Sequence, residues 1–225
     1  TSSLIFLSLG RNQIESLPSD LFRQNPDLRY LFLERNRIKV LPSLLFQKAK
    51  KLVQLDLAFN LLETLPENFL EGLVALKILT FKNNRIQNLS PSAFRGLSSL
   101  ELLTLGGNEL SILPQRFFVD LENLQWLILS GNPLVHFEKE IFEGLSSLRY
   151  LFAANNHLTV LDSALLGGLK KLEAVDFSDN QISSIPDKFF DDLVSLRLLK
   201  MLRNSFSPEE RARIQAQIPT VEIRF

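Results

Sequence analysis

The chain has 225 residues, 45% of them apolar and 22% charged, proportions of a folded protein of one or two domains and far from those of a disordered chain. Lys plus Arg number 25 and Asp plus Glu number 25, so the formal net charge is zero; this argues against non-specific binding to nucleic acid or to an anionic membrane, which needs a basic excess. With no cysteine, a disulfide scaffold, a thiolate metal site and a cysteine nucleophile are all excluded, while the redox compartment stays open.

No apolar run approaches the roughly 20 residues of a membrane span, so the chain reads as soluble. It begins at Thr1 without a recognisable secretory leader, which reads as a mature or trimmed chain. Aromatic usage is lopsided, with 18 Phe against two Tyr and one Trp. Phe is a core filler without a polar handle, whereas Tyr and Trp carry one and often sit at interfaces.

Asn recurs every 24 residues, at Asn12, Asn36, Asn60, Asn84, Asn108, Asn132, Asn156, Asn180 and Asn204, with no insertion between them. Around each Asn the same frame returns, as in Leu28-x-x-Leu31-x-Leu33-x-x-Asn36-x-Ile38-x-x-Leu41-Pro42 and again from Leu52 to Pro66. Phe81, Ala153, Phe177 and Met201 replace the third Leu, and Val175 the second. Alternation of Leu with variable residues predicts a short strand with one face buried and the other in solvent. The Asn falls where the chain must turn, and a buried amide there can bond the backbone of its own turn and of the next repeat, which predicts a structural Asn ladder. Further on, Phe22, Phe46, Phe94, Phe118, Phe142 and Phe190, with Leu70 and Leu166 in their place twice, predict a stacked spine behind the sheet. Between these landmarks there is room only for short turns or brief helical segments.

This frame resembles that of the leucine-rich repeat family in its typical 24-residue class, from Leu4 to about Arg203. The resemblance implies an α/β solenoid: a curved leucine-rich repeat horseshoe with a concave parallel sheet, nine repeats and a C-terminal helix-strand cap. One leucine-rich repeat domain over 1–225 is expected, with repeats at about 4–206 and the cap at 207–225. In such arrays stability is shared between neighbours and the ends need covering. No cap precedes Leu4, so an N-terminal cap reads as missing or trimmed. At the other end Ser207-Pro208-Glu209-Glu210 reads as a capping box opening a helix to about Gln217, with Glu209 placed to pair with Arg213. Pro219 ends the helix, and Val221, Ile223 and Phe225 alternate as a last strand over the open edge. This cysteine-free cap is similar to that of bacterial, notably spirochaetal, members of the family.

Catalytic constellations are missing from the sequence. His136 and His157 occupy different places in the repeat, fourth and first after their Asn, and read as solvated loop residues. There is no phosphate loop, dinucleotide fingerprint or nucleophile elbow, and Gly106-Gly107 is an isolated turn pair. Asn88-Leu89-Ser90 is a single formal glycosylation sequon. Glu173, Asp176 and Asp179 cluster in the eighth repeat, but one period away stand Arg149 and Arg197 for Glu173, Lys200 for Asp176 and Arg203 for Asp179. Neighbours in a parallel sheet lie about 4.8 Å apart, so ion pairs rather than a calcium site are expected. No enzyme, metal or cofactor is expected.

The variable places of the frame face the concave side. Every Tyr and the only Trp share the third place, which reads Phe6, Tyr30, Gln54, Ile78, Leu102, Trp126, Tyr150, Ala174 and Leu198. Strand propensity explains a general aromatic bias there but not why Tyr and Trp occur nowhere else. Together with the fifth place this predicts a partner-binding patch of Trp126, Ile128, Tyr150 and Phe152, bordered by Leu102 and rimmed by Gln125 and Arg149. A smaller group joins Tyr30 and Phe32 to Phe6, with Arg35 and Phe59 at its edge. The expected function is therefore protein–protein interaction, with a protein or peptide ligand on the concave face, no nucleic acid and no membrane span. For a bacterial member the resemblance implies an extracellular or cell-surface protein in host interaction. The alternative is an architectural protein forming a homo-oligomer through the same surface; a monomer is favoured.

Overall fold

In the computed structural model, which describes residues 3–225, nine three-residue strands follow the nine frames. They are β1 (Phe6–Ser8), β2 (Tyr30–Phe32), β3 (Gln54–Asp56), β4 (Ile78–Thr80), β5 (Leu102–Thr104), β6 (Trp126–Ile128), β7 (Tyr150–Phe152), β8 (Ala174–Asp176) and β9 (Leu198–Lys200). A helix, α1 (Pro208–Gln217), and a last strand, β10 (Glu222–Arg224), complete the chain. The strands form one parallel sheet in sequence order, β1 to β10. Every pairing is offset by the period, as Tyr30 with Gln54 and Trp126 with Tyr150. The central residue of each strand from β2 to β9 is buried, and those on either side, the third and fifth places, face outward from the sheet.

The core is a stack of identical layers. Leu28, Leu31 and Leu33, then Leu52, Leu55 and Leu57, have no exposed surface, and the same places are buried up the array. Behind them Phe22 and Phe46 stack with ring centres 5.9 Å apart, Phe94 and Phe118 at 6.5 Å, and Phe118 and Phe142 at 6.4 Å, all within 12° of parallel. The spine breaks at Leu70 and Leu166, which are buried in the same role. A second Phe one residue earlier fills space beside it: Phe69 lies 5.0 Å from Phe46, and Phe117 lies 5.0 Å from Phe94.

Each Asn turn has two parts. The residue just before the Asn is left-handed in every repeat, at Arg11, Arg35, Phe59, Asn83, Gly107, Gly131, Asn155, Asp179 and Arg203. This region costs a side chain about 1 kcal/mol or more, and Gly and Asn escape most of it. The Asn amide then bridges two repeats. Asn60 Nδ2 donates to the carbonyls of Leu33 at 3.0 Å and Leu57 at 3.1 Å, while its Oδ1 accepts from the Ile38 N–H at 3.0 Å. Among the described residues Asn12, in the first turn, reaches only its own turn, at the Leu9 and Gly10 carbonyls.

Asn132 is 4% exposed and makes the same three bonds, to Leu105 O, Leu129 O and the Leu110 N–H. Asn132→Ala is expected to lower stability by about 1–3 kcal/mol, because buried backbone groups lose their partners and nothing replaces them. Urea unfolding monitored at a constant m-value checks this; an unchanged midpoint would mean that the turn holds without its amide.

The cap differs from its sequence reading in two contacts. Ser207 is the N-cap and its Oγ accepts from the Glu210 N–H at 3.2 Å, with Pro208 opening the helix, as expected. The reciprocal half of the box is not made. The Glu210 carboxylate turns to the body of the array, where Oε1 accepts from the Ile185 N–H at 2.8 Å. Arg213 pairs with Glu210 at 2.7 Å and Asp187 at 2.9 Å, not with Glu209, and also donates to the Ile185 carbonyl. The side chain three residues away, with only 15% of its surface exposed, thus wins over the one four away because it also satisfies a backbone N–H of the last repeat. β10 keeps the period against β9, Glu222 opposite Leu198, although the cap has left the Leu frame.

Arg213, followed by the Ile185 N–H, holds the Glu210 carboxyl below its ordinary range. A depressed acid contributes stability above its unfolded value of about 4.3, and that contribution disappears as pH falls through the lowered folded value. Amide exchange at Ile185, corrected for its intrinsic rate, should therefore lose protection below about pH 4 before the central Asn-bonded amides do. Simultaneous loss at Ile185 and Leu110 would show that Glu210 does not tie the cap.

Candidate functional site

On the concave face the parallel register brings the third-place and fifth-place residues of adjoining repeats side by side, Trp126 opposite Tyr150 and Ile128 opposite Phe152. The Trp126 and Tyr150 rings stack at 3.9 Å and 25°, and Trp126 lies 6.1 Å from Phe152. Trp126 keeps 38% of its surface exposed, whereas Leu102, Ile128, Tyr150 and Phe152 are half-buried by one another. Trp126, Ile128, Tyr150 and Phe152 thus meet as one layer, with Leu102 at its border, rather than as four separate anchors. The smaller group also assembles: Phe6 lies 5.3 Å from Phe32 and 6.5 Å from Tyr30. Beside it the Arg35 guanidinium sits 4.3 Å over the Phe59 ring.

The polar handle of Tyr150 is already engaged within the chain: its hydroxyl donates to Glu173 Oε2 at 3.0 Å. Arg149 holds the other carboxylate oxygen of Glu173 through two bonds of 2.9 and 2.6 Å, so it is engaged before any partner arrives. Arg149 first, then Tyr150, hold the Glu173 carboxyl below its ordinary range, with Arg197 adding only its field. Lys200 stands 3.8 Å from Asp176 and Arg203 chelates Asp179, completing the ion-pair ladder. Among the described residues, no three His, Cys, Asp or Glu side chains gather to hold a metal ion. His136 pairs with Glu138 at 2.9 Å, two residues away.

A groove of about 520 Å³ runs along the edge where the chain enters the strands. One wall is the second place of the frame, Lys77, Glu101, Gln125, Arg149 and Glu173; the other is the residue preceding the first Leu, Ser99, Asn123, Ser147, Lys171 and Ser195. The column preceding the first Leu, Ser99 to Ser195, escaped the sequence reading, although it too recurs every 24 residues, because its residues follow no apolar pattern and only the fold shows them facing a groove.

The Leucine rich repeat family matches the chain over residues 2–62, 32–84, 50–110, 74–134, 103–158 and 153–206. These overlapping matches run through all nine frames, and the chain belongs to the leucine-rich repeat family. No curated protein matches it. Among solved structures it is similar to a leucine-rich repeat protein of Leptospira interrogans, at 30% identity and a TM-score of 0.75, over 99% of this chain and 61% of that one. The chain therefore spans less than two thirds of that relative. It is also similar to a chain of the octameric complex of latrophilin 3, Unc5D and FLRT2, the last through its leucine-rich repeats, at 26% identity and a TM-score of 0.87, over 99% and 69% of the two chains. A third, the Toll-like receptor of the TLR13–ssRNA13 complex, is 29% identical with a TM-score of 0.70, over 89% and 32%. Among the described residues no helix is long and apolar enough to cross a membrane.

Proposed function

We propose that this chain is a protein-binding module whose concave face receives a protein or peptide partner, centred on Trp126, Ile128, Tyr150 and Phe152. The observation that carries the reading is the exposed Trp126 stacked on Tyr150 beside an open polar groove. An aromatic centre with a hydrogen-bonding rim is the composition of interface hot spots. The FLRT2 relative, solved in a complex of several proteins, supports protein rather than small-molecule recognition. The Toll-like receptor relative was solved with RNA, but here the concave cations Arg149, Lys200 and Arg203 are paired with acids and the net charge is zero. That leaves no continuous basic track for phosphates. The likeness to a Leptospira protein, with the cysteine-free cap of this chain, favours a bacterial protein displayed or released outside the cell and meeting host partners.

The test is capture from host extracellular material with two baits, the native chain and one carrying Trp126→Ala and Tyr150→Ala. Proteins held by the first and lost by the second mark the concave site; identical captures would refute it. Light scattering on the native chain separates the architectural alternative, which requires mass to rise with concentration.

A further inference from the structure

The carboxylates of the concave face fall into two kinds. Glu101, Glu173, Asp176 and Asp179 each have a cation in ion-pairing distance, Lys77, Arg149, Lys200 and Arg203 in turn. Among the described residues Glu34 and Asp56 have none, although they stand on adjoining repeats. Arg35, the next residue after Glu34, is spent on the Phe59 ring.

Glu34 is also incompletely bonded. Its Oε2 is buried without any hydrogen-bond partner. Its carboxylate lies over Gly10, where an added methyl would stand 2.2 Å from Oε1, so the missing side chain at Gly10 is what lets it lie there. Asp56 is half-buried, and one of its oxygens accepts from the Ala58 N–H at 2.9 Å, leaving the other open. Burial pushes the Asp56 carboxyl up, and the charge of Glu34 adds to this. Phe32 is the register partner of Asp56 and stands two residues before Glu34, with Phe6 packed 5.3 Å away and 57% exposed.

We infer that Glu34 and Asp56, with the Phe32 ring, form a subsite for an arginine side chain of the protein partner; this rests on the concave-face reading above. The chemistry is complementary in three respects. A guanidinium carries the charge that the two acids lack as partners, its forked N–H groups supply donors to the accessible side of the Glu34 carboxylate and to the open Asp56 oxygen, and its flat face stacks on aromatic rings. A carboxylate with one oxygen buried without a donor is costly to keep charged, so a cation held beside it offsets a penalty already present in the free chain.

The experiment observes the carboxyl carbons of the full chain, isotope-labelled at Glu and Asp, while acetyl-Ala-Arg-Ala-amide is added, with the uncharged citrulline peptide as control. The expected result is saturable shifts at Glu34 and Asp56 with the arginine peptide and none with citrulline. Binding should weaken about tenfold or more in the chain carrying Glu34→Gln and Asp56→Asn. Should that variant lose its amide dispersion, Gly10→Ala tests the same point, since it displaces the Glu34 carboxylate while touching only a flexible side chain. Shifts centred on Glu173 or Asp179, equal response to citrulline, or full affinity in a folded variant would overturn the subsite. With a captured partner, binding that falls in the Trp126→Ala, Tyr150→Ala chain but stays unchanged in the Glu34→Gln, Asp56→Asn chain removes this inference and leaves the concave-face reading standing. Loss in neither variant removes the reading itself.

Discussion

Replacing Trp126 and Tyr150 together by alanine is expected to weaken binding of a captured partner by about 2–4 kcal/mol, the range of a truncated aromatic hot spot. The two rings are stacked on each other and project from β6 and β7 away from the buried Leu127 and Leu151. Their loss therefore removes a surface layer and opens no cavity in the core. The stability cost is not zero, because the ring stack and the bond from Tyr150 to Glu173 both disappear. Together these set it at about 1–2 kcal/mol. Tyr150→Phe separates the contributions: it keeps the stack, removes the hydroxyl and should leave most of the affinity. Tryptophan emission gives an early check on the free chain, since the single Trp126 should emit to the red and quench with iodide. A blue, unquenched signal together with a large stability loss would make Trp126 a core residue and end the hypothesis.

Deleting Ser207 to Phe225 is expected to cost about 2–4 kcal/mol and to make the chain fray or aggregate from its C-terminal end. The segment buries Ile214 completely and Val221 nearly so, and packs Ile218, Ile223 and Phe225 against the last repeat. Each such side chain contributes about 1.5–3 kcal/mol on burial, offset in part by the entropy of ordering a ten-residue helix that is marginal alone. Deletion would also strip β9 of its neighbour, including the bond from the Met201 N–H to the Arg224 carbonyl at 2.7 Å, and expose a flat parallel edge. The measurement is urea unfolding with sedimentation at several concentrations. A truncated chain that unfolds and sediments like the intact one would reduce the cap to an ornament. Because neighbouring repeats stabilise one another, the loss should be greatest near β9 and fade toward β1, which exchange of amide protons resolves repeat by repeat.

The 24-residue spacing by itself determined the layers, the strand centres, the Asn turns and the Phe spine. A period without insertions leaves each residue type only one place to go, and a Leu that faces inward once faces inward nine times. It also placed Trp126, Ile128, Tyr150 and Phe152 on one face, since alternation and register suffice to make them neighbours. What it left undecided are choices between side chains of similar reach. Whether Arg213 meets Glu209 or Glu210 depends on where the Ile185 N–H comes to rest, and whether the Tyr150 hydroxyl stays free depends on how far Glu173 leans across the sheet. The left-handed residue before each Asn was hidden as well, because Arg35, Phe59 and Asp179 share no chemistry and the turn imposes its backbone on all of them. The unpaired state of Glu34 and Asp56 belongs to this second kind. Opposite charges one period away form ion pairs in the eighth and ninth repeats, and Lys51 pairs with Asp27 between the second and third, but among the described residues no cation comes within ion-pairing distance of Glu34 or Asp56, and only the folded arrangement of Gly10, Phe32 and Arg35 around the two acids decides that they stay open.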